Sequence, residues 1–286
     1  MDQKVIDLYD EYTHAPLERR VFMKRLTALA GSTTGAMALL PVLDSNYAHA
    51  ATVPPEDPRI NAGHISYPGA SGPVRAYLAR PKGTAMAPGV VVIHENRGLT
   101  PHIEDVARRA AVEGFVALAP DLLSPFGGAP ADEDAARQMF VKVNPATALA
   151  DLVAGLSYLR GRADASGKLG CIGFCWGGTM ANNLAVNVPD LAAAVPFYGG
   201  QPAAADVPKI RAKLLLHYAG NDERVNAGVP AYESALNAAG VVYTKHVYPG
   251  VQHAFHADTA GARYNREAAE LAWRRTIEFL NQVLKS

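Results

Sequence analysis

Three side chains in this sequence have the types and the order that acyl transfer through a covalent intermediate requires. Cys175 lies in Gly173-Phe174-Cys175-Trp176-Gly177-Gly178, after the apolar stretch Lys168–Phe174 and before a helical run, Thr179–Val188. A strand that turns sharply into a helix lifts the residue at the turn clear of the sheet, and the flanking glycines allow a turn too tight for a Cβ. At the start of a helix the dipole also favours a thiolate. Asp222 follows the apolar run Lys213–Ala219 in Gly220-Asn221-Asp222, and His253 follows Thr244–Tyr248 in Pro249-Gly250-Val251-Gln252-His253. A base that accepts the thiol proton and an acid that fixes the tautomer of that base complete the set. Glu223 and His256 are the neighbouring rivals, and the spacing directs them elsewhere. A buried, inert cysteine is the alternative for Cys175, but the ordered trio is harder to obtain by chance than any one member.

Elements that could hold these residues recur from residue 60 onward. Val74–Ala79 alternates like an edge strand, and Gly89–Ile93 is apolar throughout, as a buried parallel strand is. Thr100-Pro101 offers an N-cap and a first-turn proline for a helix reaching about Glu113. Phe115–Ala119 reads as a strand, Ser124–Ala146 as an excursion over the sheet, and Ala148–Arg160 as a helix leading into the cysteine strand. Strands over Ala192–Tyr198, Lys213–Ala219 and Thr244–Tyr248, a helix near Val229–Ala239 and an amphipathic helix over Asn265–Leu284 complete the pattern. Alternating strands and helices specify a doubly wound, mostly parallel sheet with helices on both faces, the α/β-hydrolase arrangement. Its site lies at the carboxyl ends of the strands.

These motifs together resemble the dienelactone hydrolase family. Gly-Phe-Cys-Trp-Gly-Gly, His94-Glu95-Asn96-Arg97-Gly98, the Gly-Asn-Asp turn and His253-Ala254-Phe255 carry the resemblance, which spans about residues 60–284. It implies a triad of Cys175, Asp222 and His253, with the backbone N–H groups of Asn96 and Trp176 as the oxyanion hole. It further implies that Glu95 accepts a hydrogen bond from the resting thiol. Arg97, Tyr198 and Phe255 are the candidate substrate contacts. The family's enzymes bind a substrate carboxylate through arginines, one of them shortly after the catalytic histidine. Here His256, Ala257 and Asp258 stand at those positions, and Ser124–Gly128 holds no arginine, so uncharged small esters or lactones are the expected substrates.

Composition restricts the remaining classes. The chain has 286 residues, 49% of them hydrophobic, with 27 basic and 27 acidic side chains, which supports a large core and gives no electrostatic case for nucleic acid. Two cysteines make no disulfide framework, and Cys171 and Cys175, four apart in an extended strand, lie about 13 Å apart. No histidine follows His94-Glu95 at zinc-motif spacing and no phosphate-cradling glycine loop is present, so neither metal nor cofactor is expected. A transfer between thioesters, or a non-catalytic thiol serving redox sensing or binding, are the competing functions. The oligomeric state is open, a homodimer included.

Residues 1–50 differ in kind from the single catalytic domain of 51–286. Arg19-Arg20-Val21-Phe22-Met23-Lys24, the weakly apolar Leu26–Leu43 and Ala48-His49-Ala50 follow the order of a twin-arginine signal, with a proline-rich spacer at Pro54–Pro58. This predicts periplasmic export and no stable membrane insertion, the apolar run being short. A helical hairpin belonging to the folded protein is the alternative, supported by the acidic lead-in of Asp2, Asp7, Asp10 and Glu11.

Overall fold

The computed structural model describes residues 1–15, 17–44 and 52–286. Its centre is an eight-stranded sheet in the order β1-β2-β4-β3-β5-β6-β7-β8. The strands are β1 (Ile60–Gly69), β2 (Gly72–Pro81), β3 (Ala87–Ile93), β4 (Val116–Pro120), β5 (Ala165–Phe174), β6 (Ala193–Phe197), β7 (Lys213–Asn221) and β8 (Tyr243–Gln252). β2 pairs antiparallel with both β1 and β4, while every pairing from β4 across to β8 is parallel. Val74–Ala79 is therefore not the edge. β1 lies outside it, a strand whose mixed burial hid it in the sequence.

Helices cover both faces because the central strands are apolar on both; β3, β4 and β6 are buried along their whole length. On one face α4 (Pro101–Val112) and α10 (Arg266–Leu284) pack through Ile103, Val106, Ala272, Ile277 and Leu280. On the other, α6 (Pro145–Arg160), α7 (Trp176–Asn187) and α9 (Val229–Ala239) pack through Leu152, Leu156, Ala181, Leu184 and Leu236. Within the excursion of 124–146 the structure adds α5 (Glu133–Phe140), capped by the Asp132 carboxylate accepting from the Ala135 N–H. A single turn, α8 (Glu223–Asn226), begins at Asp222.

The first 44 residues form three helices, α1 (Gln3–His14), α2 (Arg19–Ala30) and α3 (Thr33–Leu43). They share a small core of Val5, Leu8, Tyr9, Tyr12, Phe22, Leu26, Leu40 and Leu43, with Tyr12 and Phe22 stacked at 4.1 Å. The group lies across the carboxyl ends of the strands. Gln3 and Gln252 exchange amide hydrogen bonds of 2.9 and 2.6 Å, Asp10 pairs with Arg224, and the Tyr12 hydroxyl donates to Asp134 at 2.8 Å. Arg263 sits over the Tyr9 ring, and α3 approaches Gly261 so closely that a Cβ there would lie 2.3 Å from the Val42 carbonyl oxygen. Arg19, the first of the paired arginines, is held by Asp134. The Ala48-His49-Ala50 site lies outside the described residues. No single helix among them is long and apolar enough to cross a membrane; α2 and α3 reach that length and composition only together, and they meet at 109°.

Candidate active site

The turn between β5 and α7 is as tight as its glycines suggest. Cys175 adopts φ 57° and ψ −117°, a conformation costly for a residue with a Cβ and held here by its surroundings. A Cβ on Gly173 would fall 1.9 Å from the Gly177 carbonyl oxygen, and one on Gly177 would fall 2.4 Å from that of Ile93. Those contacts let α7 start directly against β3 and β5. Cys171, four residues earlier on β5, is enclosed in the core, where burial pushes its thiol up to about 12.

Asp222 and His253 come to the same place from the ends of β7 and β8. The Asp222 carboxylate accepts from His253 Nδ1 at 2.5 Å and also caps α8 through the Val225 N–H at 3.2 Å. Both side chains are almost fully buried. Burial opposes the charge on each, and pairing prevails: the hydrogen bond to His253 keeps Asp222 below the usual carboxylate range. For His253 burial is outweighed by the Cys175 thiolate and Asp222, which raise it well above an ordinary histidine. Its Nε2 lies beside the Cys175 sulfur, with no other hydrogen-bond partner among the described residues.

A residue that sequence reasoning did not single out reaches the thiol. His14, the last residue of α1, places Nε2 3.1 Å from Cys175 Sγ, and its ring meets that of His253 edge-on at 4.6 Å. Its Nδ1 lies 3.0 Å from Asp10 Oδ1, one turn back on the same helix. Burial alone would raise the Cys175 thiol, but the two imidazoles draw it down to about 6. The thiol and both ring nitrogens lie within 4.8 Å of one another, the only such group of His, Cys, Asp or Glu among the described residues and close enough for a thiophilic cation to bridge.

The other candidates divide. Asn96, Trp176 and Tyr198 line, with Cys175, His253 and Phe140, a cleft of about 680 Å³. Asn96 follows β3 and its side-chain amide donates to the Thr13 carbonyl at 2.7 Å, tying the cleft to α1. Glu95 is adjacent, but its hydrogen bond comes from the Tyr198 hydroxyl at 3.4 Å; among the described residues the thiol bonds to His14 instead. Neutral His94 fixes this loop: its Nε2 accepts from the Leu122 N–H at 3.1 Å, so Nδ1 carries the proton and donates to the Glu95 carbonyl at 2.5 Å.

Two tentative substrate contacts are corrected. Arg97 does not line the cleft; it is buried and paired with Glu133 at 3.0 Å, on the excursion helix. Phe255 is fully buried behind Tyr198, a core residue that supports the tyrosine ring at 5.4 Å. His256 is likewise enclosed, stacked on Phe174 at 4.9 Å, and burial pushes its basicity well down. No arginine follows His253 closely or lies within 124–128, but arginines reach the cleft from other elements. Arg19, Arg137 and Arg224 reach the cleft wall from α2, α5 and α8, each engaged by an aspartate, Asp134 for the first two and Asp10 for the third. Their separation in sequence from the His253 motif concealed them.

The sheet order and a cysteine at a strand-to-helix turn define an α/β-hydrolase. The sequence profile of the dienelactone hydrolase family matches residues 74–284, and a YqhI-like profile matches residues 1–30. A Methylorubrum extorquens protein provisionally named carboxymethylenebutenolidase is 31% identical over 283 residues, covering 93% of this chain and 95% of its own length. The crystal structure of a provisionally named dienelactone hydrolase from Klebsiella pneumoniae is 33% identical, with a TM-score of 0.71, and covers 78% of this chain and 99% of that one. The dienelactone hydrolase-like promiscuous phosphotriesterase P91, from metagenomic libraries, is 25% identical with a TM-score of 0.69, covering 79% and 99%. The chain belongs to the dienelactone hydrolase family and is a hydrolase of that type.

Proposed function

We propose that the protein hydrolyses small esters or lactones through an acyl-cysteine intermediate, with Cys175 as nucleophile, His253 as proton carrier and Asp222 as its orienting acid. The observation that carries this reading is the line from Asp222 through His253 to Cys175, held at the carboxyl ends of the parallel strands β7, β8 and β5. The Cys175 thiolate attacks the carbonyl carbon; the C–S bond forms as the π pair moves onto oxygen. Backbone N–H groups of Asn96 and Trp176 would receive that oxyanion. As the intermediate collapses, the C–O bond to the leaving group breaks and His253 donates its proton to the departing oxygen. A water then loses a proton to His253, its oxygen bonds to the acyl carbon, and the C–S bond breaks to restore the thiolate.

Ester cleavage is favoured over thioester transfer because the cleft is a compact pocket of about 680 Å³. The arginines on its wall already have carboxylate partners, which supports an uncharged acyl group. The likeness to a promiscuous phosphotriesterase makes phosphotriesters a natural second substrate class to assay. The experiment is a screen of short p-nitrophenyl esters, lactones, acyl thioesters and phosphotriesters with the intact chain and with Cys175→Ala. Turnover of esters or lactones that vanishes in the variant is expected. Turnover confined to thioesters, or activity that survives Cys175→Ala, would sink the reading.

A further inference from the structure

We propose that α1 supplies a second Asp–His dyad to the nucleophile, in which His14, oriented by Asp10, is a catalytic residue that holds the Cys175 thiolate through the reaction cycle. The inference rests on Cys175 being the nucleophile. Its basis is geometric. Nε2 of His14 makes a hydrogen bond to sulfur, at 3.1 Å. His14 Nδ1 bonds the Asp10 backbone carbonyl at 2.9 Å and lies at ion-pair distance, 3.0 Å, from its carboxylate, a looser counterpart of the 2.5 Å hydrogen bond between His253 Nδ1 and Asp222. The two imidazoles approach Sγ from separate elements, α1 and the end of β8, with their rings 4.6 Å apart.

The groups facing His14 are Asp10 on its own helix, Cys175 at the turn and His253 beyond β8, with Arg224 of α8 behind Asp10. Two anions therefore surround a site that holds two imidazoles. Burial disfavours charge on His14, but Cys175 and Asp10 together raise it above an ordinary histidine. This divides the labour. In the free enzyme the S–H bond breaks, the electron pair stays on sulfur, and the proton forms an N–H bond at His14 Nε2. That proton remains there, so the thiolate has a fixed counter-ion both before attack and when the C–S bond breaks. His253, whose Nε2 faces the sulfur with no other side chain or carbonyl bonded to it among the described residues, is left to exchange its proton with the leaving oxygen and then with water. No group beyond ester and water is consumed.

The position of α1 makes this arrangement stable. Its backbone is bonded to the site loop through Asn96, and its tip residues Thr13 and His14 form one wall of the cleft. The solved relatives from Klebsiella pneumoniae and metagenomic libraries cover 78% and 79%, about the share that residues 60–284 make up.

The test is the pH dependence of Cys175 alkylation by iodoacetamide, read by peptide mass spectrometry in the full chain, alongside ester kinetics. His14→Gln is expected to move the alkylation midpoint upward by about one pH unit, so that alkylation at pH 7 slows up to about tenfold. It should lower kcat/KM for a small ester by a similar factor. Asp10→Asn should move both in the same direction by less, and it decides the matter should His14→Gln fail to fold. An unchanged midpoint in a folded variant, or a moved midpoint with unchanged turnover, overturns the proposal. Cys175→Ala, assayed separately, distinguishes these results from a failure of the nucleophile assignment.

Discussion

The catalytic body and the N-terminal helices reach the same sulfur by different physical routes. In the body, Cys175, Asp222 and His253 sit at the tips of strands buried on both faces, so their positions are fixed by a sheet that the whole domain stabilises. His14 instead ends a helix whose core is a handful of side chains, and it is held in place by a few polar links to the body. A side chain carried on a sheet moves only when the domain unfolds. One carried on a small helical layer moves whenever that layer opens. The body should therefore set whether the chemistry runs, and the helices how readily the thiolate forms.

The sharpest way to break that division is to remove the proposed nucleophile. Cys175→Ala should reduce kcat for the best ester by several orders of magnitude, in line with the ~10⁶ seen when a triad nucleophile is lost. Cys171→Ala should leave turnover within a few fold, since that thiol is enclosed between β5 and α7. If Cys171→Ala abolished turnover while Cys175→Ala kept it, the body would hold its chemistry elsewhere. Next in size is Asp222→Asn, which replaces the anionic acceptor of His253 by an amide that can donate to Nδ1 and favour the wrong tautomer; a loss on the order of 10⁴ in kcat is expected by analogy with other triads. Asp10→Asn, the matching change in the helical layer, should cost far less. Equal losses would show the two dyads to be equivalent and refute the hierarchy.

The body was legible in the sequence because its signals are redundant. Glycines at 173 and 177, a strand before and a helix after, and two further strand ends each pointed to one place, and Asn96, Trp176 and Tyr198 line the cleft there. Phe255 and Arg97 were harder: a sequence shows that an aromatic or an arginine lies near a motif, not which way it faces. His14 left almost no trace. Its pairing with Asp10 at four-residue spacing is common on surface helices, and its contact with Cys175 spans 161 positions. The paired arginines and weakly apolar run drew attention toward export. Arg19 bound to Asp134 and α3 seated on Gly261 favour instead the helical-extension reading. Twin-arginine export with cleavage near Ala51 would remove His14. We propose that the chain keeps residues 1–50; N-terminal sequencing of protein from fractionated native cells checks this, and a periplasmic species starting near Ala51 would refute it.

Loosening the helical layer without touching the sulfur tests the comparison at intermediate size. Phe22 is buried in the small core and stacked on Tyr12, so Phe22→Ala should cost about 3–5 kcal/mol, concentrated in that layer. Hydrogen exchange should quicken over residues 3–43 and stay slow in β3–β7. Ester turnover should fall to the level of His14→Gln. Global loss of protection instead would mean that the layer and body unfold as one unit.

A pH titration separates the two regions more finely. With Cys175 drawn down to about 6, its alkylation should be half-maximal there, and Cys171 should stay unreactive. The signs for stability are opposite for the two partners. The depressed Cys175 contributes stability that is full above its ordinary value near 9 and is lost as pH falls through about 6. The raised His253 contributes below its ordinary 6.5 and loses that contribution as pH rises through its elevated value. The thiolate–imidazolium pair is thus intact from about 6 upward to the point where His253 deprotonates, and turnover should follow that plateau. An alkylation midpoint near 8.5 would mean that neither region perturbs the thiol.

Glu95→Gln is expected to have the smallest effect, and it probes the one place where the resemblance and the structure assign the same task to different residues. The family pattern gives the resting thiol to a glutamate after β3. Here that residue takes a hydrogen bond from Tyr198, whose backbone is itself held at φ 38° beside His253. If His14 has taken over the thiol, Glu95 serves chiefly to steady Tyr198 on the cleft wall. Glu95→Gln keeps an acceptor oxygen for that hydroxyl, so the alkylation profile should shift by less than about half a pH unit and kcat by a few fold. Substituting Tyr198→Phe, which removes the donor, should produce a similarly modest change, and combining the two should add little, because both act on one shared bond. A Glu95→Gln shift as large as that of His14→Gln would return the thiol to the glutamate. It would make the resting state a property of the body alone and leave the helical layer as a wall without chemistry.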